Sequence, residues 1–366
     1  MNIIIAGGGT GGHIFPAVAI AHALKAADPA ANILFVGANG KMEMEKVPKE
    51  GYRIIGLDIV GFNRSNLLKN LSLPFKLWKS NKAAMNIIRE FKPDAVVGVG
   101  GFASFPVLNA AQKKGIPTLI QEQNSFAGKT NKILGKKAAA VCVAYDNMQR
   151  FFPANRIVMT GNPVRKAISQ SQVSREDAAQ FFGLDAGRKT ILVVGGSLGA
   201  RSINLAVAGC IPALVAQDIQ VVWQTGKTFI SEAAAIAVQY PQHVKAMEFI
   251  YEMDQAYAVC DMIISRAGAL AIAEICIVAR PAIFIPYPFA AEDHQTSNAQ
   301  ALVDKQAAWM IPDDRVRELL QDKIQSLIHD EGQLRQMHDN LLGLAIKDAD
   351  VRIAAQIRNI IQSERK

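Results

Sequence analysis

Ile3-Ile4-Ile5-Ala6 runs straight into Gly7-Gly8-Gly9-Thr10-Gly11-Gly12, and a helical pattern begins around Pro16. A short, wholly apolar strand, a glycine turn and a helix form the opening of a nucleotide-binding α/β domain. The device recurs later as Ile191-Leu192-Val193-Val194, then Gly195-Gly196-Ser197-Leu198-Gly199, then a helical pattern from Arg201. Two copies predict two doubly wound domains. A chain of 366 residues agrees, being longer than one domain usually is.

Other apolar, β-branched runs alternate with helical stretches at 32–37, 95–98, 118–121 and 141–144, and then at 220–224, 262–265 and 282–286. Continuous runs of this kind read as strands of parallel sheets covered on both faces. The boundary falls near Gly161-Asn162-Pro163-Val164-Arg165, ahead of the polar stretch from Ser169 to Asp177. At the end, Val351, Ala354, Ile357 and Ile361 recur at helical spacing and predict a closing amphipathic helix.

Half the residues are hydrophobic and 20% are charged, an ordinary globular composition. Met1-Asn2-Ile3-Ile4 has no basic leader, and no apolar run approaches the roughly 20 residues that span a bilayer. The expectation is a protein made and kept in the cytoplasm. Four separated cysteines (Cys142, Cys210, Cys260 and Cys276) lack metal-ligand spacing and read as reduced core thiols. A formal charge of +8 suits diphosphates or an anionic membrane. It suits nucleic acid least, because no basic run is interleaved with aromatics.

Gly7 to Gly12 formally satisfies the dinucleotide-binding glycine pattern, which also wants a carboxylate at the end of the second strand. Those strands end instead in Gly37-Ala38-Asn39 and Gln224-Thr225-Gly226, which argues against NAD or FAD. Thr10-Gly11-Gly12-His13 reads either as a bare-backbone turn aiming N–H groups at a large ligand or simply as a tight turn. Gly195 to Gly199 adds a second nest of N–H groups with the Ser197 hydroxyl, suited to a diphosphate. It lacks the lysine of a P-loop.

Ser265-Arg266-Ala267-Gly268-Ala269-Leu270-Ala271-Ile272-Ala273-Glu274 follows a strand, and Glu274 is either a ribose acceptor or a surface helix glutamate. Gln121-Glu122-Gln123-Asn124 and Glu292-Asp293-His294-Gln295 are polar clusters beyond strand ends, where open α/β sheets bind ligands. Leu67, Leu68, Leu71, Phe75 and Trp78, with Lys69, Lys76, Lys79 and Lys82 nearby, read as a membrane-surface patch or as core. Pro74 is expected to split that segment into two helices.

Taken together, GGGTGGHIFPAVAIA at 7–21, GGFASFP at 100–106, QEQN at 121–124, GNPVR at 161–165, GGSLGARSIN at 195–204, SRAGALAIAE at 265–274 and EDHQTSNA at 292–299 resemble one enzyme family. It is the bacterial N-acetylglucosaminyltransferases that convert the lipid-linked muramyl-pentapeptide precursor into the disaccharide precursor of peptidoglycan. The resemblance spans nearly the whole chain. It implies two Rossmann-like doubly wound parallel-sheet domains facing a deep cleft, the GT-B architecture. Residues 1–163 would be the acceptor and membrane-side domain, with a last helix at about 350–366 packing back on it. Residues 164–349 would bind the UDP-sugar.

Carried over by position, Thr10, Gly11 and Gly12 would border the donor, Asn124 would face the sugar, and Arg165 and Ser197 the diphosphate. Ile250 would hold uracil through its backbone. Ala269, Leu270, Ala271, Ile272, Ala273 and Glu274 would meet phosphate and ribose, and Gln295 the sugar hydroxyls. From its own place after the glycine turn at the start of a helix, His13 is expected to be the catalytic base or its immediate helper, with Glu122 the alternative base. Its other reading is a histidine that merely orients the turn or a phosphate. Phe102 and Phe105 depart from the tyrosine and the small residue common in relatives. UDP-N-acetylglucosamine, an undecaprenyl-linked muramyl-pentapeptide and the anionic cytoplasmic face of the inner membrane are the implied partners. No cofactor or metal is expected. The neighbouring readings are a UDP-N-acetylglucosamine 2-epimerase of similar fold and a sugar-nucleotide-binding regulator without turnover.

Overall fold

The structure is a computed structural model describing residues 1–59 and 73–364, with side chains described except at 73–77 and 364. The chain divides into two compact units, Met1–Val164 with Asp348–Lys366, and Arg165–Lys347.

In the first unit, β1 (Asn2–Ala6), β2 (Asn32–Ala38), β3 (Arg53–Leu57), β4 (Ala95–Gly98), β5 (Thr118–Glu122), β6 (Ala140–Val143) and β7 (Ile157–Met159) build a seven-stranded sheet ordered β3-β2-β1-β4-β5-β6-β7. Every pairing is parallel, and Ile4 stands opposite Leu34 on one side and Val96 on the other. Alternation along β1 then sorts its side chains. Ile3 and Ile5 enter one core with Ile33, Phe35 and Val97, against helix Gly11–Ala27. Ile4 and Ala6 enter the opposite core with Leu34, Val36 and Val96, against helices Leu73–Phe91 and Ser104–Lys113. A sheet covered on both faces needs strands apolar on both faces, and each fully buried isoleucine contributes roughly 1.5–3 kcal/mol.

The last helix, Ala349–Glu364, joins the first of these cores. It buries Ile353, Ala354, Ile357, Ile360 and Ile361, whereas Val351 is 58% exposed. The expected stripe is thus corrected: Ile353 and Ile360 belong to it, and Val351 lies off it.

In the second unit, β8 (Thr190–Val194), β9 (Gln220–Gln224), β10 (Val244–Met247), β11 (Met262–Ser265), β12 (Ala282–Phe284) and β13 (Trp309–Met310) form a six-stranded parallel sheet ordered β10-β9-β8-β11-β12-β13. Ile191, Val193, Val221 and Trp223 pack with Ile203, Val207 and Ile211 of helix Arg201–Val215, and with Leu320 and Ile324 of helix Val316–Ile328.

Two boundaries differ from those read in the sequence. Helix Gly11–Ala27 starts at Gly11, five residues before Pro16, because Thr10 takes an extended N-cap conformation and its carbonyl accepts from the His13 and Ile14 N–H groups. β12 stops at Phe284, where Arg266 bonds the Ile285 and Pro286 carbonyls and turns the chain off the sheet.

Candidate functional site

Parallel strands place all their carboxyl ends on one edge, and the strand order reverses where β1 meets β4 and where β8 meets β11. Ligands of open α/β sheets bind beyond those ends, at the reversal. In the first unit the segments there are Gly7–Gly12 and Val99–Ala103. In the second unit they are Gly195–Gly199 and Arg266–Gly268.

In the second unit Glu274 is the sixth residue of helix Ala269–Val278, whose N-cap Gly268 offers no capping side chain. Arg165 donates to Glu274 Oε1 from Nε at 3.3 Å and Nη2 at 3.2 Å, and the buried Tyr257 hydroxyl donates to Oε2 at 2.9 Å. The Glu274 side chain is 13% exposed and that of Arg165 47% exposed. Burial raises the Glu274 pKa above the usual carboxylate value, while Arg165 and the Tyr257 hydrogen bond oppose it. Burial and the adjacent carboxylate keep the Tyr257 phenol protonated well above its ordinary range. The surface-glutamate alternative therefore does not describe Glu274. Ala269, Leu270, Ala271 and Ala273 are half-buried on the same helix, and Ile272 points into the core.

The Gly195–Gly199 turn leads into the uncapped N-terminus of helix Arg201–Val215, with Ser197 exposed and Leu198 84% exposed. Gly199 sits at φ +77° against the Thr225 carbonyl, where a Cβ would collide with backbone. Only glycine lets the two loops cross there.

Gln224, at the end of β9, ties this turn to Ile250. Its Nε2 donates to the Gly196 carbonyl at 2.9 Å, and its Oε1 accepts from the Ile250 N–H at 2.9 Å. A base held by the Ile250 backbone would therefore meet its carbonyl.

Gln295 lies in the first turn of helix His294–Val303, where its Oε1 accepts from the Tyr287 N–H at 3.0 Å. Glu292 and Asp293 just before it take left-handed conformations at φ +57° and +53°. Two consecutive non-glycine residues there hold strained backbone at the start of this helix. Arg266 is committed to Asp313, Ser202 and the Ile285 and Pro286 carbonyls, which makes it a clamp on that turn.

In the first unit, Thr10, Gly11, Gly12 and His13 form the glycine turn and the first residues of the helix after it. His13 Nδ1 lies 3.0 Å from the Gly8 carbonyl oxygen and 3.3 Å from Thr10 Oγ1. Its imidazole covers Gly100, which is at φ +97° and where a Cβ would touch the ring. Glu122 is buried, with Oε1 accepting from the Asn124 N–H and side chain and Oε2 from the Gly128 N–H and Asn131 Nδ2 at 2.9 to 3.3 Å. Four donors commit this carboxylate to shaping its own loop. Asn124 rides on it, half-buried. Phe102 and Phe105 pack against the core under β4.

Among the described residues no group of three or more His, Cys, Asp or Glu gathers as metal ligands, and no helix is long and apolar enough to cross a membrane. Of the lysine-rich segment, 60–72 lies outside the described residues. In helix Leu73–Phe91, Pro74 falls in the first turn, where proline is tolerated, and Trp78 is 61% exposed with Lys82 Nζ 5.6 Å from its ring.

Gln224 and Tyr257 carry much of this geometry and have no motif of their own. Their nearest sequence signal is position, at a strand end and on a helix packed beside Glu274.

Residues 3–143 match the glycosyltransferase family 28 N-terminal domain and residues 190–353 its C-terminal domain. A protein from Phocaeicola vulgatus named UDP-N-acetylglucosamine–N-acetylmuramyl-(pentapeptide) pyrophosphoryl-undecaprenol N-acetylglucosamine transferase is 51% identical, over 100% of this chain and 98% of its own. The crystal structure of Acinetobacter baumannii MurG superposes with a TM-score of 0.82 at 31% identity, covering 98% of this chain and 99% of that one. A UDP-N-acetylglucosamine 2-epimerase from Neisseria meningitidis reaches a TM-score of 0.66 at 14% identity, covering 98% of this chain and 100% of that one, a likeness of fold alone.

Proposed function

The chain belongs to glycosyltransferase family 28, and we propose that its reaction is that of its full-length relatives. It is an N-acetylglucosaminyltransferase that moves the sugar of UDP-N-acetylglucosamine, with inversion, onto undecaprenyl-pyrophosphoryl-N-acetylmuramyl-pentapeptide. The product is the β-1,4-linked disaccharide lipid. The geometric observation that carries the donor half is the enclosed Glu274 carboxylate, held by Arg165 and Tyr257 on the helix whose N-cap is Gly268.

In this reading the ribose hydroxyls donate to Glu274, which frees Arg165 to turn to the diphosphate with Ser197 and the N–H groups of the Gly195–Gly199 turn. Backbone of 269–274 meets phosphate and ribose, the Ile250 carbonyl takes the uracil N–H, and Asn124 and Gln295 meet the sugar. Thr10, Gly11 and Gly12 border the donor. The acceptor hydroxyl oxygen bonds to the anomeric carbon as the bond from that carbon to the UDP oxygen breaks. The electron pair leaves on UDP, where fixed positive dipoles and Arg165 are worth most. The hydroxyl proton passes to His13, a neutral imidazole being suited to this near pH 7. The commitment of Glu122 to four donors favours His13 over it.

The acceptor and the membrane belong in this reading to residues 1–163 and the donor to 164–349. The exposed Trp78 with Lys82 over its ring supports docking at the cytoplasmic face of the membrane. UDP release separates the alternatives. Release is expected only with lipid acceptor, both in anionic vesicles and as a short-chain analogue in solution, and Trp78→Ser should lower the vesicle rate alone. Sugar interconversion without acceptor would identify an epimerase, and binding without release a regulator.

A further inference from the structure

Glu43 is a carboxylate with 1% exposure at the start of helix Glu43–Lys49, and no motif singles it out. Its Oε1 accepts from the Ala38 N–H at 3.0 Å, at the end of β2, and its Oε2 from the Gly9 N–H at 2.9 Å. Gly8 has no Cβ, and one there would land inside this carboxyl group, so the glycine turn is shaped around it. The Gly9 N–H and the Gly8 carbonyl belong to one planar peptide unit. The other end of that unit faces His13 Nδ1 at 3.0 Å. A carbonyl oxygen only accepts, so this shorter contact is a hydrogen bond in the tautomer that carries the proton on Nδ1 and the lone pair on Nε2, with Thr10 Oγ1 3.3 Å from the same Nδ1.

We propose that Glu43 is a positioning residue for the transfer, acting on His13 through the Gly8–Gly9 peptide. The carboxylate pins and polarises the peptide, and the peptide selects the imidazole tautomer and fixes the ring plane. When the acceptor oxygen bonds to the anomeric carbon and UDP departs with its electron pair, the hydroxyl proton goes to Nε2. The resulting imidazolium keeps its Nδ1–H on the peptide carbonyl. A carboxylate does the same in a serine-protease triad by touching histidine directly. Here one peptide stands between them, and hydrogen-bonded dipoles in series strengthen one another. The inference rests on His13 being the base.

The test reads the tautomer before it reads activity. Long-range proton–nitrogen spectra of protein labelled with ¹⁵N-histidine, with the His13 signals among the six histidines assigned by their loss in His13→Gln, are expected to show Nδ1–H. Glu43→Gln keeps the shape but turns an NH₂ toward one of the two backbone N–H groups. It is expected to move the His13 signals toward a tautomer mixture and to lower kcat about tenfold. The KM for UDP-N-acetylglucosamine should stay within about twofold, since uniform binding is untouched. Nε2–H in the unmodified enzyme overturns the proposal, and that measurement decides even where Glu43→Gln does not fold. Unchanged kcat together with unchanged His13 signals in a folded Glu43→Gln overturns it too. Full turnover by His13→Ala beside an Nδ1–H tautomer would instead remove the base assignment and leave Glu43 as a loop anchor.

Discussion

The Glu274 carboxylate is nearly enclosed, and three hydrogen bonds from Arg165 and Tyr257 fill its oxygens. Burial raises its pKa, so acid protonates it earlier than a free glutamate. A protonated Glu274 has fewer lone pairs for ribose hydroxyls, and UDP binding should weaken as pH falls toward that raised value. Arg165 lowers the pKa, so in Arg165→Ala the acid loss of UDP affinity should begin at higher pH. Calorimetry over pH reads this. At neutral pH, Glu274→Ala should weaken UDP by about 1.5–3 kcal/mol and Tyr257→Phe by about 1 kcal/mol. Unaltered UDP affinity in Glu274→Ala would leave that carboxylate as no more than a partner for Arg165. The sequence made Glu274 and His13 conspicuous through their motifs. Arg165, which holds Glu274, was legible in its own motif, but Tyr257 and Glu43 were not, because Tyr257 lies 17 residues from Glu274 and Glu43 lies 34 residues from Gly9, separations with no local pattern.

β1, β2, β4, β5 and β6 of the first sheet and β8, β9, β11 and β12 of the second announce themselves as apolar runs. The four strands without a legible run are β3, β7, β10 and β13, and these are the four sheet edges. An edge strand pairs on one side only and lies partly in solvent, so Arg53, Met159 and Lys245 are tolerated within them. The closing helix shows the same logic in another form. Spacing alone admits Val351 to the stripe, but the surface it meets selects Ile353, Ile357 and Ile360. Ile357→Ala should cost about 2–5 kcal/mol, and Val351→Ala should stay within about 0.5 kcal/mol, as urea midpoints will show. Equal effects would mean that the helix face is assigned wrongly.

Across the molecule, Cys142, Cys210, Cys260 and Cys276 are all buried and unpaired. Burial pushes Cys142, Cys260 and Cys276 up to about 12 and Cys210 up to about 11 from an ordinary 9.0. Above pH 9 the unfolded chain therefore releases protons that the folded chain retains, and stability falls as pH rises from about 9 to 12. Each thiol weighs in at about 1.4 kcal/mol per pH unit across its window. Denaturation midpoints should accordingly drop steeply above pH 9, and iodoacetamide at pH 8 should label none of the four in the native protein. Cys142 lies in the first unit and the other three in the second. Labelling during a urea titration then shows whether the units unfold together or apart. Native-state labelling of any of the four would contradict their enclosure.

Local chemistry decided a great deal. The two strand–glycine–helix openings, the apolar central strands and the glycine turns follow from nearest neighbours along the chain, because buried parallel strands demand continuous apolar runs and tight turns demand bare backbone. Tertiary structure alone decided which strands close the sheets, which face of the last helix is covered, and which buried groups hold Glu274 and the glycine turn before His13. Those outcomes depend on residues distant in sequence meeting in space. Glu43 shows it most plainly: its charge is tolerable in the interior only where Ala38 and Gly9 offer their N–H groups, and that meeting exists only once β1 and β2 are paired.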